Sequence, residues 1–529
     1  MVFLGEIINK FLVKSYIMIY GIDLGTTNSC VSYYDNNELK IYQIDNEDLL
    51  PSVVKYNSDN SVSVGYPVLN HPDSIYEAKR LIGKDLDISK NIYSYQLTQK
   101  DGIIKVYPKH KPEGVYPKEV LSEILKKIKN TIDKDNEIRV VITVPAYFNN
   151  YQREDVYWAA EHIGMKIERM INEPTAASLA YGLGITGEQT VLVFDLGGGT
   201  LDCSILRIDD DITEVIGTYG NTRLGGKDFT ERIEEYLSDE LEVPRTIRLR
   251  ETCEGVKKGL SKKRELGFLY EDYEIEISQE DFRMLCVEEL EECKNVIKKT
   301  IELSKIRKED IDEVVLVGGA TRMVCIRELI QEYFDKKINY KLDPDKTVCL
   351  GAGVQAGIIM QRIDKVLCDI TPMNIGIGVG NGLVVPLIEH GMLIPVSITK
   401  SFMTYKDNQK EISIEVYQGI GKLVEDNILL GKIVKRIPVK RRGEVKINIS
   451  LMINYDGILK VSIDNEEDYI INGIHEEVKF SESRLEDIEL RERKLKRENE
   501  VSVLMNRLAE DISDIERQEI YTEIKKKID

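Results

Sequence analysis

Residues 21–31 read Gly-Ile-Asp-Leu-Gly-Thr-Thr-Asn-Ser-Cys-Val, and residues 193–203 read Val-Phe-Asp-Leu-Gly-Gly-Gly-Thr-Leu-Asp-Cys. Each is an apolar strand that runs into an aspartate, turns on glycines and hydroxyls, and enters a second strand. Glycine lets a backbone approach a phosphate, and successive N–H groups with hydroxyls form an anion cradle. One such turn suits one phosphate group, so two copies predict two half-domains closing on a polyphosphate from opposite sides. Taken singly, either glycine run is also what a tight hairpin would use. The pair, each led by an aspartate, is the stronger signal. Asp23 and Asp195 end apolar strands, where a carboxylate is costly unless paired or facing a cation. Polyphosphates arrive with Mg²⁺, which favours carboxylate and water ligands. Both aspartates are therefore expected to face Mg²⁺ through waters; the competing reading is that each caps its own turn.

Outward from these turns, residues 19 to about 225 alternate strands with helical stretches. Ile19–Leu24 is a buried strand. Cys30–Tyr34 and Leu39–Gln43 flank a hairpin turn. Val120, Ile124, Leu125, Ile128 and Ile132 fall at helical spacing. Val140–Val144 is a strand, Gln152–Ile163 and Thr175–Tyr181 are helices, and Val191–Leu196 with Cys203–Ile208 repeats the opening strand pair. Asp209-Asp210-Asp211 reads as a solvated turn in preference to a metal site. Residues 228–310 read as mostly helical and highly charged. Val314–Val317 is a strand leading into Gly318-Gly319-Ala320-Thr321-Arg322 and a helix through Phe334. Such a strand-to-helix turn suits close approach to a nucleoside, although a plain tight turn would use the same residues. A further helix starts within 343–362. Beyond 363 short alternating strands take over, at Ile375–Val379, Val384–Ile388, Ile412–Val416, Val445–Ile449 and Leu459–Ile463, which predicts an antiparallel sandwich. Arg436–Arg442 is a basic run expected in an exposed loop.

At 529 residues the chain exceeds one domain. Its 72 basic and 91 acidic residues leave a net charge of −19, which argues against a general nucleic-acid or anionic-membrane binder. Eight cysteines are scattered singly with no CxxC pair, and there are five histidines. Neither a zinc site nor a disulfide framework is expected; buried reduced thiols in a cytoplasmic protein are. No apolar run approaches the length of a membrane span. Residues 1–17 carry Glu6, Lys10 and Lys14 and lack a small-residue cleavage site. They read as an upstream extension with the true start at Met18, not as a signal peptide.

At this point the residues add up to a resemblance. Ile22–Val31, Val140–Asn149, Ile171–Gly182, Val193–Asp202, Val315–Arg322 and Asp343–Gly357 closely resemble the DnaK-type chaperones of the heat-shock-protein-70 family. They stand in the family's order over about 19–480. Ile-Asp-Leu-Gly-Thr-Thr-Asn-Ser and Asn-Glu-Pro-Thr-Ala-Ala are specific to these chaperones among proteins of the actin-like fold. Shortened segments near 101–117 and 228–253, and the Asp369-Ile-Thr-Pro junction, look most like the compact HscC branch.

The resemblance implies an α/β actin-like (ribonuclease H-like) two-lobed ATPase domain over 18–363 and a linker at 364–369. An all-β sandwich for peptide binding follows over 370–478, with a short α-helical tail, a truncated lid, at 479–529. It implies ATP and ADP with Mg²⁺ as cofactors, and K⁺ as a candidate further ion. Lys79 matches the lysine at the γ-phosphate and attacking water; on its own it reads as a surface lysine on a helix. Glu173, Thr200 and Asp202 complete the catalytic set. Gly25, Thr26, Thr27, Asn28, Gly197, Gly198, Gly199, Gly225 and Gly226 would cradle phosphates. Glu254 and Lys257 would reach the ribose, Ser261 the base, and Lys258 would cover the base face, where the family often has arginine. Gly318, Gly319, Arg322 and Asp345 complete the nucleoside pocket. Positioning and charge neutralisation are what phosphoryl transfer to water requires.

Pro145 and Arg153 match the family's relay between nucleotide and peptide domains, Arg169 and Asn172 the docking place of a J-domain co-chaperone, and Asp369 the linker aspartate. Lys365-Val366-Leu367-Cys368 departs from the usual leucine-rich linker. Ile377, Phe402, Ile412 and Ile414 align with the peptide pocket, although alternating apolar residues in a sandwich are usually core. Gly380 and Tyr405 align with the arch over the peptide, which implies altered client choice. The expected partners are unfolded client polypeptides, a J-domain protein and an exchange factor, around a monomer that engages neither nucleic acid nor membrane. The expected activity is ATP-driven peptide binding and release with slow ATP hydrolysis. The alternatives are an actin-fold small-molecule kinase and a non-hydrolysing scaffold. The short tail predicts fast peptide exchange even with ADP.

Overall fold

The computed structural model describes residues 18–469, apart from 84–92, 94, 101, 184, 186, 210–211, 337, 339–341, 380–381 and 465. The extension at 1–17, the tail at 479–529, the acidic turn at 210–211 and Gly380 of the expected arch therefore lie outside the described residues. Packing divides the chain into two units. The first runs to Tyr147 and takes in Asp155–Thr213 and Gly217–Lys365; the second comprises Phe148–Glu154, Glu214–Ile216 and Val366 onward.

The first unit is built on the duplicated strand pair. Ile19–Asp23 lies antiparallel to Asn28–Asp35 and parallel to Ile138–Val144. Met165–Asn172 and Glu38–Ile41 close the two edges of that sheet. In the second copy Gln189–Leu196 lies antiparallel to Leu201–Asp209 and parallel to Glu313–Val317, with Ile212–Asn221 beyond. The register repeats as well: Asp23 stands opposite Cys30, and Asp195 opposite Asp202. Strands covered on both faces read as continuous apolar runs, and Val191–Leu196 is buried throughout, its Asp195 carboxylate included. The helix Thr347–Ile359 is apolar all round and packs through glycines. A Cβ at Gly351 would fall on the Ala176 backbone of helix Glu173–Tyr181, and one at Gly21 on the backbone of Ala352 and Gly353. All eight cysteines are buried and free.

The charged stretch 228–310, expected to be mostly helical, is so apart from one pair of strands. Glu265–Tyr270 and Tyr273–Ser278 form a hairpin between helices Ile247–Leu260 and Gln279–Leu285. Leu266, Phe268 and Tyr270 of the first strand stand opposite Ile277, Ile275 and Tyr273 of the second, so the hairpin has one apolar face.

The second unit is a sandwich of two antiparallel sheets. One has the order Leu383–Ile388, Asn374–Val379, Glu411–Gly419, Ile428–Arg436; the other Val396–Met403, Lys446–Ile453, Leu459–Ile463, Glu466–Tyr469. Val396–Met403 and Ile428–Arg436 add to the strands expected from sequence. Ile375, Ile414, Val416, Leu430, Leu451 and Val461 are among the core between them. Phe148–Glu154 belongs to this unit because Tyr151 enters that core and Asn150 is bound twice. The Asn150 amide donates to Gln418 Oε1 (3.0 Å), and its Oδ1 accepts from the Leu459 amide (2.9 Å). Val366–Cys368, expected as linker, is a buried strand.

Candidate active site

The two aspartate turns meet. A Cβ at Gly198 would fall on Thr27 Oγ1, and one at Gly25 on the Asn28 carbonyl, so both turns demand glycine. Ser52 fastens the first turn: its amide donates to Thr27 O (2.8 Å) and its hydroxyl to Gly25 O (2.8 Å). Thr200 O accepts from Gly197 N (3.0 Å) and closes the second. Gly225 and Gly226 lie against it: the amides of Gly226 and Lys227 donate to Gly197 O (2.9 Å) and Gly198 O (3.0 Å). Gly318, at φ 81°, has room for no Cβ because Leu196 O and Asp195 Oδ1 stand there. All three predicted glycine turns thus converge at the ends of the strands that carry Asp23 and Asp195.

Four carboxylates crowd this point. Asp23 accepts from Thr143 Oγ1 (3.0 Å), its neighbour in the parallel register. Burial, then the Glu173 charge, raises Asp23 to about 7, against the pull of Lys79 and Thr143. Asp195 is 5 % exposed, and its Oδ2 has no hydrogen-bond partner. Burial, with Glu173, Asp202 and Asp23 adding repulsion, holds its carboxyl well above the ordinary value. Asp202 is buried and accepts from the Tyr147 amide (3.2 Å). Lys79 answers this negative charge. It is no surface lysine on a long helix: it sits in the single 3₁₀ turn Ala78–Arg80, with its side chain 2 % exposed and Nζ 2.6 Å from Glu173 Oε1. A partner 94 residues away buries it, which no local pattern reveals. An orphaned buried carboxylate oxygen beside raised carboxyls is the donor set a hydrated divalent cation fits. Among the described residues no three His, Cys, Asp or Glu side chains converge closely enough to chelate a metal directly.

Among the residues expected at a nucleoside, Lys257 is buried and donates to Gly226 O (2.6 Å) and Thr230 Oγ1 (2.7 Å), and pairs with Glu254 (2.6 Å). Burial lowers the Lys257 ammonium pKa. Burial works against Glu254, yet Lys257 and Lys258 hold its carboxyl below the ordinary value. Lys258 is 70 % exposed, with Nζ 3.2 Å from Glu254 Oε1. Ser261 caps the helix and donates to Lys257 O (3.3 Å). Arg322 forks onto Asp345 (2.7 and 3.0 Å) and Asp343 (2.6 Å), and Gly319 packs against Asp345. A Cβ on Gly226 would meet both Ala320 and Lys257 Nζ, so that glycine joins the helix of Glu254 to the Gly318 turn.

Sequence reasoning passed over three residues here. Arg80 donates to Gly199 O (3.0 Å) and pairs with Asp228 (2.8 Å). Thr143 holds Asp23, and Thr230 donates to Glu254 Oε2 (2.6 Å). Adjacency to Lys79 was the only signal for Arg80. The other two become visible only once strand register and helix packing are known.

In the second unit, Ile377, Ile412 and Ile414 are core residues, Phe402 is packed on that core, and Tyr405 is 64 % exposed. Arg153 is buried and donates to Phe148 O and Asp456 O (3.4 Å each). Asp369 is buried, with its Oδ1 accepting from the Ile370 amide (2.8 Å). In the first unit Pro145 follows strand Ile138–Val144, Arg169 sits at the register shift of strand Met165–Asn172, and Asn172 precedes the helix of Glu173.

A family model described as Hsp70 protein matches residues 19–528. The chain is 36 % identical over 479 residues to a chaperone protein dnaK of Trieres chinensis, covering 84 % of this chain and 78 % of that one. It is 35 % identical over 548 residues to a chaperone protein DnaK of Thermosipho melanesiensis, covering 94 % and 87 %. A chaperone protein DnaK of Thermotoga maritima is 35 % identical over 542 residues, at 94 % and 87 % coverage.

Proposed function

The chain belongs to the Hsp70 family and is an ATP-dependent molecular chaperone with ATPase activity; from that premise we propose which residues carry the chemistry and what they act on. The family pairs an actin-like ATPase domain with a β-sandwich and binds ATP or ADP with Mg²⁺. The single observation that carries the assignment is the meeting of the two aspartate turns, Gly198 against Thr27, beside the orphaned Asp195 oxygen.

In this reading Gly25–Asn28 and Gly197–Thr200, backed by Gly225 and Gly226, hold the phosphates through backbone N–H groups and hydroxyls. Mg²⁺, when bound, neutralises phosphate charge, and Asp23 and Asp195 are the residues that would hold it through waters. Lys79 faces the γ-phosphate and, fixed by Glu173, orients the attacking water. Asp202 takes a hydrogen bond from that water, and Thr200 presents its hydroxyl to the same phosphate. Glu254, Lys257, Lys258 and Ser261 bind the adenosine from one side, and Gly318, Gly319, Arg322 and Asp345 from the other. The sandwich takes extended apolar peptides by main-chain hydrogen bonding and side-chain pockets. Ile377, Phe402, Ile412 and Ile414 line its pocket and Tyr405 its arch. Pro145, Arg153 and Asp369 carry the coupling, and Arg169 and Asn172 meet a J-domain protein.

The proposed setting is cytoplasmic, with unfolded client polypeptides, an exchange factor, a monomeric state, K⁺ as a further ion, and the compact HscC type as the nearest kind. No described helix is long and apolar enough to cross a membrane. The kinase reading is disfavoured by the sandwich, and the scaffold reading by the intact Lys79–Glu173 pair. Lys79→Ala should reduce ATP turnover at least a hundredfold while leaving nucleotide affinity within a few-fold, in single-turnover assays with labelled ATP. Unchanged turnover would remove Lys79 from the chemistry.

A further inference from the structure

The basic run Arg436–Arg442 ends strand Ile428–Arg436 and opens the loop that leads to strand Lys446–Ile453. That loop is laced to the one joining Val396–Met403 to Glu411–Gly419. The Asn408 amide donates to Lys440 O (2.9 Å), the Ile437 amide to Lys410 O (3.0 Å) and the Gly443 amide to Thr404 O (2.9 Å). Lys406 and Lys410 are exposed on the first loop. Arg436, Lys440, Arg441, Arg442 and Lys446 are exposed on or beside the second. None of these seven side chains forms an ion pair among the described residues, whereas Lys432 and Lys435 farther back pair with Glu415 and Asp464. Three carboxylates stand against the seven. Asp407 accepts from the Arg442 amide (2.7 Å), Glu444 accepts from the Arg441 amide (3.2 Å), and Glu411 lies opposite Arg436 in the strand register. Among the charges are apolar side chains left to water: Met403, Tyr405, Val434 and Val439 are each more than half exposed. Met403 faces Lys446 across the strands, and Lys406 Nζ stands 5.0 Å from the Tyr405 ring centre. Phe402 and Ile412, proposed for the peptide pocket, adjoin Met403 and Glu411, so the charges ring that same end of the sandwich.

We propose that these two loops select clients by charge: the site takes extended segments whose apolar core is flanked by Asp or Glu and rejects those flanked by Lys or Arg. This rests on the reading of the sandwich as the peptide site and adds a preference to it. Unpaired cations on one laced pair of loops repel each other and any incoming cation, and a carboxylate brought among them relieves that repulsion. The penalty on the wrong flank separates clients as much as the attraction of the right one. The exposed Met403, Tyr405, Val434 and Val439 call for an apolar core, which a purely acidic chain lacks. Nucleic acids and anionic bilayers are extended polyanions that meet the field of the whole chain, whose net charge is −19. A short peptide meets only the charges within a Debye length of about 8–10 Å, and here those are basic.

Fluorescence anisotropy on the full chain with ADP tests this, using labelled peptides that share the core Leu-Leu-Val-Leu-Leu and are flanked on both sides by paired Glu, paired Ser or paired Lys. The Glu-flanked peptide should bind at least tenfold tighter than the Lys-flanked one, with the Ser-flanked peptide between them. The gap should narrow as salt rises from about 0.05 M to about 0.5 M. Arg441→Glu with Arg442→Glu should bring the two charged peptides within about twofold of each other, with ATP affinity unchanged. Arg436→Gln with Lys440→Gln should narrow the gap at least threefold and covers the case in which the charge reversal unfolds the loop. No saturable binding of any of the three peptides would overturn the peptide reading of the sandwich and this proposal with it. Saturable binding of the Ser-flanked peptide together with equal or tighter binding of the Lys-flanked one would overturn the proposal alone. So would an unchanged gap in a folded variant, or equal binding of a Glu-flanked peptide whose core is all Ser. Tighter binding of a twenty-nucleotide oligothymidylate or of phosphatidylserine vesicles than of the Glu-flanked peptide would overturn it as well.

Discussion

Asp23 sits partly open to solvent beside Glu173 and Asp195, and its carboxyl is raised to about 7 in the nucleotide-free protein. A carboxyl whose folded pKa exceeds its unfolded one binds its proton more tightly when folded. Its contribution to stability is therefore present at low pH and is lost as pH rises from about 4 to about 7. Asp23→Asn keeps an acceptor for Thr143 and removes the charge. The variant should melt higher than the parent at pH 8, by on the order of 1 kcal/mol once solvent screening is allowed for, and the gap should close by pH 4. Melting curves across pH check this; a constant gap would mean the carboxylate is not destabilising. The same repulsion predicts that loading Mg²⁺ and nucleotide near pH 7 expels protons, measurable as a buffer-dependent binding enthalpy. At this scale the sequence was legible wherever a residue acts through its own turn, as Gly25 and Gly198 do. It was not legible where the partner is distant: Lys79 is buried by Glu173, and Asp23 is held by Thr143 of a parallel strand.

Glycines separate the elements that pack backbone to backbone from those that do not. Gly351 of helix Thr347–Ile359 has no room for a methyl group, because the Ala176 carbonyl occupies that space. Gly255 of helix Ile247–Leu260 is exposed and has nothing within 4 Å. Gly351→Ala should cost about 1–3 kcal/mol by overpacking rigid backbone. Gly255→Ala should add up to about 1 kcal/mol through helix propensity. Denaturant midpoints of the two variants should move in opposite directions, and a stabilised Gly351→Ala would contradict the close approach. Elements were legible where burial is two-sided or the period is clean, as in Val191–Leu196 and Val120–Ile132. The hairpin Glu265–Ser278 was missed because its two six-residue strands are short and lie between charged helical stretches, and Val396–Met403 because its outward face is Ser397, Thr399 and Ser401.

At the scale of the molecule, the chain does not divide at one point. Phe148–Glu154 and Glu214–Ile216, far upstream, pack within the unit whose main part begins at Val366. Tyr151 supplies a ring to its core and a hydroxyl to Leu429 O and Leu430 O, and Arg153 reaches Asp456 O (3.4 Å). The same chain leads back, through Pro145, to strand Ile138–Val144, whose Thr143 holds Asp23. In the proposed reading, a change at the nucleotide has a short covalent route into residues fixed in the sandwich unit. Coupling by this route requires a differential preference of the segment for the ATP and ADP states. Arg153→Ala removes the polar tether to Asp456 without touching the phosphate turns. ATP should speed release of a fluorescent apolar peptide from the parent protein at least tenfold over ADP. In Arg153→Ala that ratio should fall to within about twofold, with ATP affinity unchanged. Stopped-flow release curves decide it: a ratio preserved in the variant would place the coupling elsewhere, and no ATP effect in the parent would mean that this chain does not couple its two units through nucleotide.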